Sequence, residues 1–264
     1  MTLLLSKLLL APLLVIGASL AGRRWGPRVS GLLIALPLVA GPILFIASAE
    51  HGARFGAHAA SASLLGLAAL AAFVVVVART SHSRAWLKVL SAGWLVYLIV
   101  ALAFSRITPA PAVGLTVAAG AFLLAGLLTR NRAPTLHAHR SAALPSWDIP
   151  ARAVATAVLV LAVTGMSAAL GPSVTGVLAP FPVSTSVLAG FVLVQHGPMQ
   201  VGELLRGFLR GALGFAMFCF LVSILLVPLR APAAFAIGLF GAVLVQLFAH
   251  IAVRPGLASV SVSE

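Results

Sequence analysis

The chain has 264 residues, of which 61% are hydrophobic and only 8% are charged. A soluble globular domain carries about 25% charged residues, so this composition excludes a soluble fold and favours helices that span a bilayer. The net charge of +13 would suggest nucleic acid in a soluble protein. Here the basic residues fall in short segments between apolar stretches, as in cytoplasmic loops, and we predict no nucleic-acid partner.

Apolar stretches long enough to cross a membrane recur along the whole chain. The first one could also be a signal peptide, because Lys7 precedes it and Ala18-Ser19-Leu20-Ala21 resembles a cleavage site. The arginines that follow it, and a counterpart near 150–166, favour a retained span. We predict an all-α polytopic bundle with about nine transmembrane spans at 3–21, 29–48, 57–78, 85–104, 109–128, 152–170, 174–194, 204–227 and 232–252.

The basic residues are distributed unequally between the two sides of this predicted bundle. Thirteen of the 17 fall on one side. Because basic loops stay in the cytoplasm, this asymmetry predicts an external N-terminus and a cytoplasmic C-terminus in a bacterial inner membrane. The predicted parts are a first transmembrane repeat at 1–128, a cytoplasmic linker at 129–150, a second repeat at 151–254 and a tail at 255–264.

Two features could indicate a metal or redox site. His137 and His139 form a His-x-His pair in the linker, but no third ligand is evident and a solvated loop is favoured. Cys219 is the single cysteine and lies in an apolar stretch, which is typical of a packing residue. We therefore predict neither a metal nor a cofactor.

The sequence contains an internal repeat at an offset of 145 positions. Residues 26–37 read GPRVSGLLIALP and residues 171–182 read GPSVTGVLAPFP. At the same offset Glu-His-Gly at 50–52 meets Gln-His-Gly at 195–197. Matches of Gly, Pro and His at one ungapped offset are hard to obtain by chance and indicate a duplication. Five spans separate the start of the first repeat unit from the start of the second. The second unit therefore enters the membrane from the opposite side, which predicts an inverted repeat of five plus four spans.

The second and seventh predicted spans are both interrupted by proline. Proline removes a backbone donor and frees a carbonyl one turn earlier, and in hydrocarbon such groups need partners or a wet cavity. Paired interruptions in inverted halves point to a transporter's central site. The alternative is a kink satisfied by Ser or Thr hydroxyls. The candidate substrate-binding residues are Pro37, Pro42, Pro180, Pro182, Ser184 and Ser186.

The four acidic residues suggest where a proton could be carried. Asp148 falls in the predicted linker and Glu264 in the tail, whereas Glu50 and Glu203 stand at span boundaries near histidines. Histidine titrates near physiological pH and a neighbouring carboxylate tunes it. The alternative is a simple ion pair of each acid with an arginine one helical turn later. The proton-coupling candidates are Glu50, His51, His196 and Glu203, and the ion-pairing alternatives are Arg54 and Arg206.

Small residues recur at helical spacing on the third and eighth spans. Glycines at intervals of three and four let membrane helices approach closely. We expect them to pack the two halves together or to form a homodimer face. These glycines are Gly66, Gly207, Gly211 and Gly214.

The motif Gly31-Leu32-Leu33-Ile34-Ala35-Leu36-Pro37, followed by Glu50-His51-Gly52, resembles the GlpM-type small bacterial membrane proteins. The resemblance covers roughly 3–104 and, more faintly, 152–252, and it implies a fused duplicate of a unit of about four spans. The third span departs from the family because it is apolar where charged and aromatic residues would be expected. The family implies no biochemical activity or site residue for this chain.

These patterns favour a small secondary permease for an unidentified solute, with its site between the second and seventh spans. The alternative is a non-transporting membrane subunit or assembly factor in envelope biogenesis. No phosphate loop, nucleophile elbow, zinc-protease or dinucleotide motif is present, so we predict that the chain is not an enzyme.

Overall fold

The computed structural model describes residues 2–37, 40–83, 85–130, 147–167 and 171–251. Within these ranges every regular element is a helix, which confirms the predicted all-α fold. A short 3₁₀ turn, Ser81–Ser83, follows the fourth helix. The helices are α1 Thr2–Trp25, α2 Pro27–Ile34, α3 Ala40–His51, α4 Ala53–Thr80, α5 Trp86–Phe104, α6 Pro111–Leu128, α7 Asp148–Ser167, α8 Gly171–Leu178, α9 Val183–His196, α10 Pro198–Leu225 and α11 Ala231–Ile251.

Six segments of the described chain are long and apolar enough to cross a membrane. Each has at least 18 residues, close to the length that spans a hydrocarbon core of about 30 Å at 1.5 Å per residue. This finding confirms the predicted class of membrane helical protein. The six segments are Ala53–Ser83, Trp86–Phe104, Pro111–Leu128, Ser173–His196, Pro198–Leu225 and Ala231–Ala249.

Helices α4 and α10 form the centre of the bundle. In α4, 83% of the apolar window is buried, whereas only 22% is buried in α6 and in α11. The outward faces of α5, α6 and α11 carry large hydrophobic side chains such as Leu102, Leu123 and Phe248. An apolar helix buried on all sides belongs in the core, and an apolar exposed face suits lipid.

The two central helices run antiparallel. Gly56, in the first turn of α4, faces Leu226, which follows the last residue of α10. At the other end, α10 contacts the 3₁₀ turn that follows α4. Because α4 and α10 correspond at the offset of 145, two equivalent helices lie side by side with opposite directions.

The second and seventh predicted spans are each divided into two helices by proline. Pro37 lies between α2 and α3, and Pro180 and Pro182 lie between α8 and α9. A proline ring clashes with the preceding turn and offers no N–H, so it favours a kink or a break in the helix. Pro42 does not break a helix, because it lies in the first turn of α3, where backbone N–H groups have no intrahelical partner.

Short helices of one half pack onto the central helix of the other half through glycine. A methyl group added to Gly31 of α2 would lie 1.9 Å from the backbone oxygen of Leu204 in α10. A methyl group added to Gly176 of α8 would lie 2.2 Å from the backbone oxygen of Ala59 in α4. Gly31 corresponds to Gly176 and Leu204 to Ala59 at the offset of 145, so these two contacts are reciprocal.

The predicted packing glycines of α4 and α10 lie at the same contacts. Gly66 faces the backbone oxygen of Val177, and the equivalent Gly211 faces that of Leu32. Gly207 meets the backbone of Arg28 in α2. Gly214 instead faces α11 of its own half, at Ala242 and Gln246. Most of these small residues therefore let the two halves approach to backbone contact.

The two His-Gly turns have the same backbone conformation. Gly52 joins α3 to α4 with φ 93°, and Gly197 joins α9 to α10 with φ 84°. Residues with a Cβ rarely adopt positive φ, so glycine is the residue that fits both turns. The Glu-His-Gly and Gln-His-Gly motifs thus form turns of similar backbone conformation.

Candidate functional site

The two breaks between helices meet at the middle of the molecule around a small cavity. Its volume is about 30 Å³, enough for one water molecule. Residues of the first break and its edges line one side, residues 179–185 line the other, and aromatic side chains of α10 close it. The lining includes Ile34, Leu36, Ala40, Pro180, Pro182, Ser184, Thr185, Phe208 and Phe215.

The second break is held by hydrogen bonds to the carboxyl end of α8. The last four carbonyls of a helix have no intrahelical partner. Tyr97 of α5 donates its hydroxyl to the Val177 oxygen at 2.8 Å, and Ser63 of α4 donates to the Gly176 oxygen at 2.9 Å. The backbone N–H of Ala179 and of Phe181 serves the remaining carbonyls. The end of α8 is therefore fully satisfied without water.

The first break lacks these side-chain donors. At the offset of 145, the counterpart of Ser63 is Phe208 and the counterpart of Tyr97 is Ala242, and neither side chain can donate a hydrogen bond. The Pro37 oxygen accepts from Gly41 N–H at 2.7 Å. The two breaks therefore occupy equivalent positions, but the side-chain hydrogen bonds of Ser63 and Tyr97 at the second break have no counterpart in the sequence at the first.

The predicted serines lie at the second break, with different surroundings. Ser186 is buried and accepts a hydrogen bond from the indole N–H of Trp94 at 2.8 Å. Ser184 is 7% exposed, lines the cavity, and its Oγ has no hydrogen-bond partner. An unsatisfied buried hydroxyl costs about 1–3 kcal/mol and calls for an explanation.

The predicted prolines contribute unequally to this cavity. Pro180 and Pro182 line it, whereas Pro37 is buried in the first break and Pro42 is half-buried in α3, and neither is among the lining residues. The predicted junction of the two broken segments is thus present, but the second break supplies most of its surface.

The proton-coupling candidates lie away from this cavity. Glu50 and His51 are exposed at the end of α3, and His51 stacks on Phe55 with ring centroids 4.5 Å apart. His196 and Glu203 are half-buried at the end of α9 and the start of α10. Because α4 and α10 are antiparallel, the two pairs stand at opposite ends of the bundle.

Of Glu50 and Glu203, Glu203 forms the ion pair that was predicted as the alternative to proton coupling. Glu203 binds Arg206 at 3.0 Å, as its spacing predicted, and also accepts a hydrogen bond from Arg28 of α2 at 2.9 Å. The contact from Arg28 was not predicted, since it joins positions far apart in sequence. Glu50 makes no salt bridge within the described part of the chain, so the pair that we expected with Arg54 is not formed.

A buried polar cluster that the sequence did not predict lies where α1, α7 and α9 meet. Asp148 is 0% exposed and binds Arg23 at 2.7 Å and Arg152 at 3.0 Å. Arg152 also donates to the Gln195 side-chain oxygen at 2.7 Å, and its guanidinium lies 4.9 Å from the ring of Phe191. These contacts connect both halves of the chain.

Asp148 requires a correction to the predicted linker. We expected it in a polar loop, but it is the first residue of α7, ahead of the span predicted from 152. Burial would raise the pKa of Asp148, but hydrogen bonds from Gln195, Arg152 and Arg23 and the charge of Arg152 outweigh it and lower the pKa below its ordinary value. The i,i+4 spacing of Asp148 and Arg152 was the available signal.

The described residues hold no group of three or more His, Cys, Asp or Glu side chains that could bind a metal. Cys219 is buried in α10 as a free thiol. His137 and His139 lie outside the described residues.

No family model matches the chain, and no curated protein or solved structure shows significant similarity to it. The resemblance to the GlpM-type family stays a prediction.

Proposed function

We propose that this chain is a small secondary permease of the bacterial inner membrane, with its substrate site at the junction of the two broken helices. The observation that carries the proposal is Ser184. Its buried hydroxyl has no partner and lines a cavity between two proline breaks. Unwound segments near the bilayer midplane are where transporters bind their substrates, because the backbone and short polar side chains there are free to bind.

The proposal includes nine spans arranged as an inverted repeat of five plus four, with the N-terminus outside. Its support is the antiparallel pair α4 and α10, which are equivalent in sequence, together with the reciprocal contacts of Gly31 and Gly176 with the opposite halves. The bias of basic residues supports the orientation. In this arrangement α2 with α3, and α8 with α9, each form one discontinuous span.

The chemistry of the cavity favours a small uncharged solute. Among the described residues no charged side chain lines it, and its polar side chains are Ser184 and Thr185. A charged solute would cross this region without a counter-charge, at a large desolvation cost. Transport would require the cavity to open beyond its present volume, with the breaks as hinges. Coupling to protons would use Glu50 and His51 at one end and His196 and Glu203 at the other.

A second candidate is a non-transporting membrane subunit or assembly factor in envelope biogenesis. The observation that favours it is the cavity volume of about 30 Å³, because small-molecule sites have volumes of about 300–1,000 Å³. In a permease, a cavity this small would correspond to a closed conformation that the protein adopts between two open conformations.

Thermal-shift screening of the purified protein against uncharged metabolites, at two pH values, distinguishes the two. For a permease we expect a ligand that raises the unfolding temperature and is taken up by proteoliposomes. Ser184→Ala should abolish both effects while keeping the unliganded protein at least as stable, because it removes an unsatisfied hydroxyl. The matched control is Ser91→Ala, at an exposed serine of α5. A stable wild-type protein without any ligand shift or uptake would favour the second candidate.

A further inference from the structure

A second and larger cavity opens at the amino-terminal end of α4. Its volume is about 340 Å³, within the range of small-ligand sites. One wall is a stripe along α4 made of Arg54, His58 and Ser61, which share one helix face at spacings of four and three. The loop before α6 at 108–111 and the carboxyl end of α10 at Ser223 form the other walls.

Among the described residues that line this cavity, the formally charged side chain is Arg54, which is positive. Arg54 and His58 are exposed, and neither makes an ion pair or hydrogen bond within the described part of the chain. No acidic residue in the described ranges lines the cavity. The nearest acid in sequence, Glu50, is exposed at the end of α3 and does not pair with Arg54.

Two helix amino termini add to this positive potential. Helices α4 and α6 both begin at the cavity, and neither has an acidic residue in its first turn. The N-terminus of a helix carries about half a positive charge and free N–H groups, and both attract anions. An arginine in the first turn of α4 opposes the helix dipole, and a bound anion would offset this unfavourable interaction.

The equivalent end of the other half already contains a carboxylate. At the offset of 145, His58 corresponds to Glu203, which lies between Arg28 and Arg206. There the chain itself supplies the negative partner for its arginines. At the start of α4 the equivalent position is His58. Arg54 therefore has no carboxylate partner among the described residues.

We propose that the cavity lined by Arg54, His58 and Ser61 binds a small anion, a carboxylate or a phosphate, with an apolar body against Ala57, Pro109 and Val227. Arginine forms paired hydrogen bonds with both kinds of oxyanion, and His58 adds an N–H donor. The anion comes either from a soluble ligand or from the headgroup of an acidic lipid. This site is separate from the central cavity and does not depend on transport.

The test uses the full-length protein in nanodiscs made only of phosphatidylcholine. Butyrate and inorganic phosphate are titrated at constant ionic strength, and binding is measured by calorimetry. We expect the wild type to bind one anion per protein. In Arg54→Gln and in His58→Gln the affinity for the anion should fall about tenfold or more, because each variant loses a hydrogen bond to a charged group. Arg106→Gln is the control, since Arg106 is exposed between α5 and α6 but does not line the cavity.

A second set of nanodiscs contains phosphatidylglycerol and separates the two sources. A lipid headgroup would be retained by the wild type in native mass spectrometry, would compete with the soluble anions, and would be lost in Arg54→Gln. A soluble ligand would bind equally in both kinds of nanodisc. The proposal is overturned if the wild type binds none of the three probes, or if Arg106→Gln weakens binding as much as Arg54→Gln. Thermal unfolding of each variant confirms that it is folded.

Discussion

Gly31 packs against the backbone oxygen of Leu204 so closely that a single methyl group would not fit between them. The added carbon would lie 1.9 Å from that oxygen, a backbone atom in the second turn of α10. The same relationship recurs between Gly176 and Ala59. These two contacts fix α2 on α10 and α8 on α4, and thereby hold the two breaks at the central cavity.

Alanine at Gly31 should therefore destabilise the protein. We expect a loss of about 1–3 kcal/mol or more, because α2 must shift away from α10 to admit the methyl group. The measurement is the free energy of unfolding in mild detergent. Gly120→Ala in α6 is the matched control, because nothing lies within 4 Å of its added carbon. It should be neutral or slightly stabilising, since alanine favours a helix. Equal losses in both variants would contradict this account of the contact.

Asp148→Asn should cost more than most single substitutions. It leaves Arg152, which is 3% exposed, without its buried charge partner. Breaking a buried ion pair on one side costs about 3–5 kcal/mol. Arg24→Gln, at an exposed arginine of α1, is the control and should have little effect. A loss below about 1 kcal/mol in Asp148→Asn would show that the cluster contributes little to stability.

The contribution of Asp148 should also depend on pH. Its pKa is lowered in the folded protein, whereas an unfolded aspartate titrates near pH 4. The stabilisation is therefore complete above about pH 4 and is lost as the pH falls through the folded pKa. The difference in unfolding temperature between the wild type and Asp148→Asn should shrink on acidification below pH 4. A difference that stays constant would be inconsistent with the lowered pKa.

Tyr97→Phe should weaken the second break. The substitution keeps the ring in place but removes the only side-chain hydroxyl that bonds the Val177 oxygen in the described residues. A buried carbonyl without a partner costs about 1–3 kcal/mol. Thermal unfolding should show this loss, and Thr116→Val in α6 should not, because Thr116 is exposed and bonds only its own helix. Indistinguishable unfolding curves for the two variants would remove the proposed role of Tyr97.

Pro182→Ala tests the break as a hinge. Alanine would allow residues 179–183 to become more helical, so the unfolding temperature should change little while uptake into proteoliposomes falls. The measurement compares uptake and thermal stability in the same preparation, with Pro42→Ala as the control, since Pro42 occupies a first turn and breaks no helix. Parallel losses of stability and uptake would make the break a purely structural kink.

The sequence predicted those features that depend on local chemistry. The prolines located both breaks, because a proline inside a helix removes a backbone hydrogen bond and strains the preceding turn. The His-Gly motifs located the two turns with positive φ, for an equally local reason. The pairing of Glu203 with Arg206 also followed from spacing along one helix.

Features that depend on the packing of distant helices were not predicted. Asp148 looked like a loop residue because its partners Arg23 and Gln195 lie in α1 and α9. The unsatisfied hydroxyl of Ser184, beside the satisfied one of Ser186, follows from the position of Trp94 on another helix. Burial and hydrogen bonding of single polar groups therefore required the tertiary structure.

In the proposed arrangement the two halves cross the bilayer in opposite directions, which the accessibility of single cysteines can measure. Single cysteines are placed by His51→Cys and His196→Cys in a Cys219→Ser background. A membrane-impermeant maleimide is then added to intact spheroplasts and to permeabilised ones. We predict that the cysteine at position 51 reacts in intact spheroplasts and that the one at position 196 reacts only after permeabilisation. Labelling of both from the same side would contradict the inverted arrangement and the site proposed between its halves.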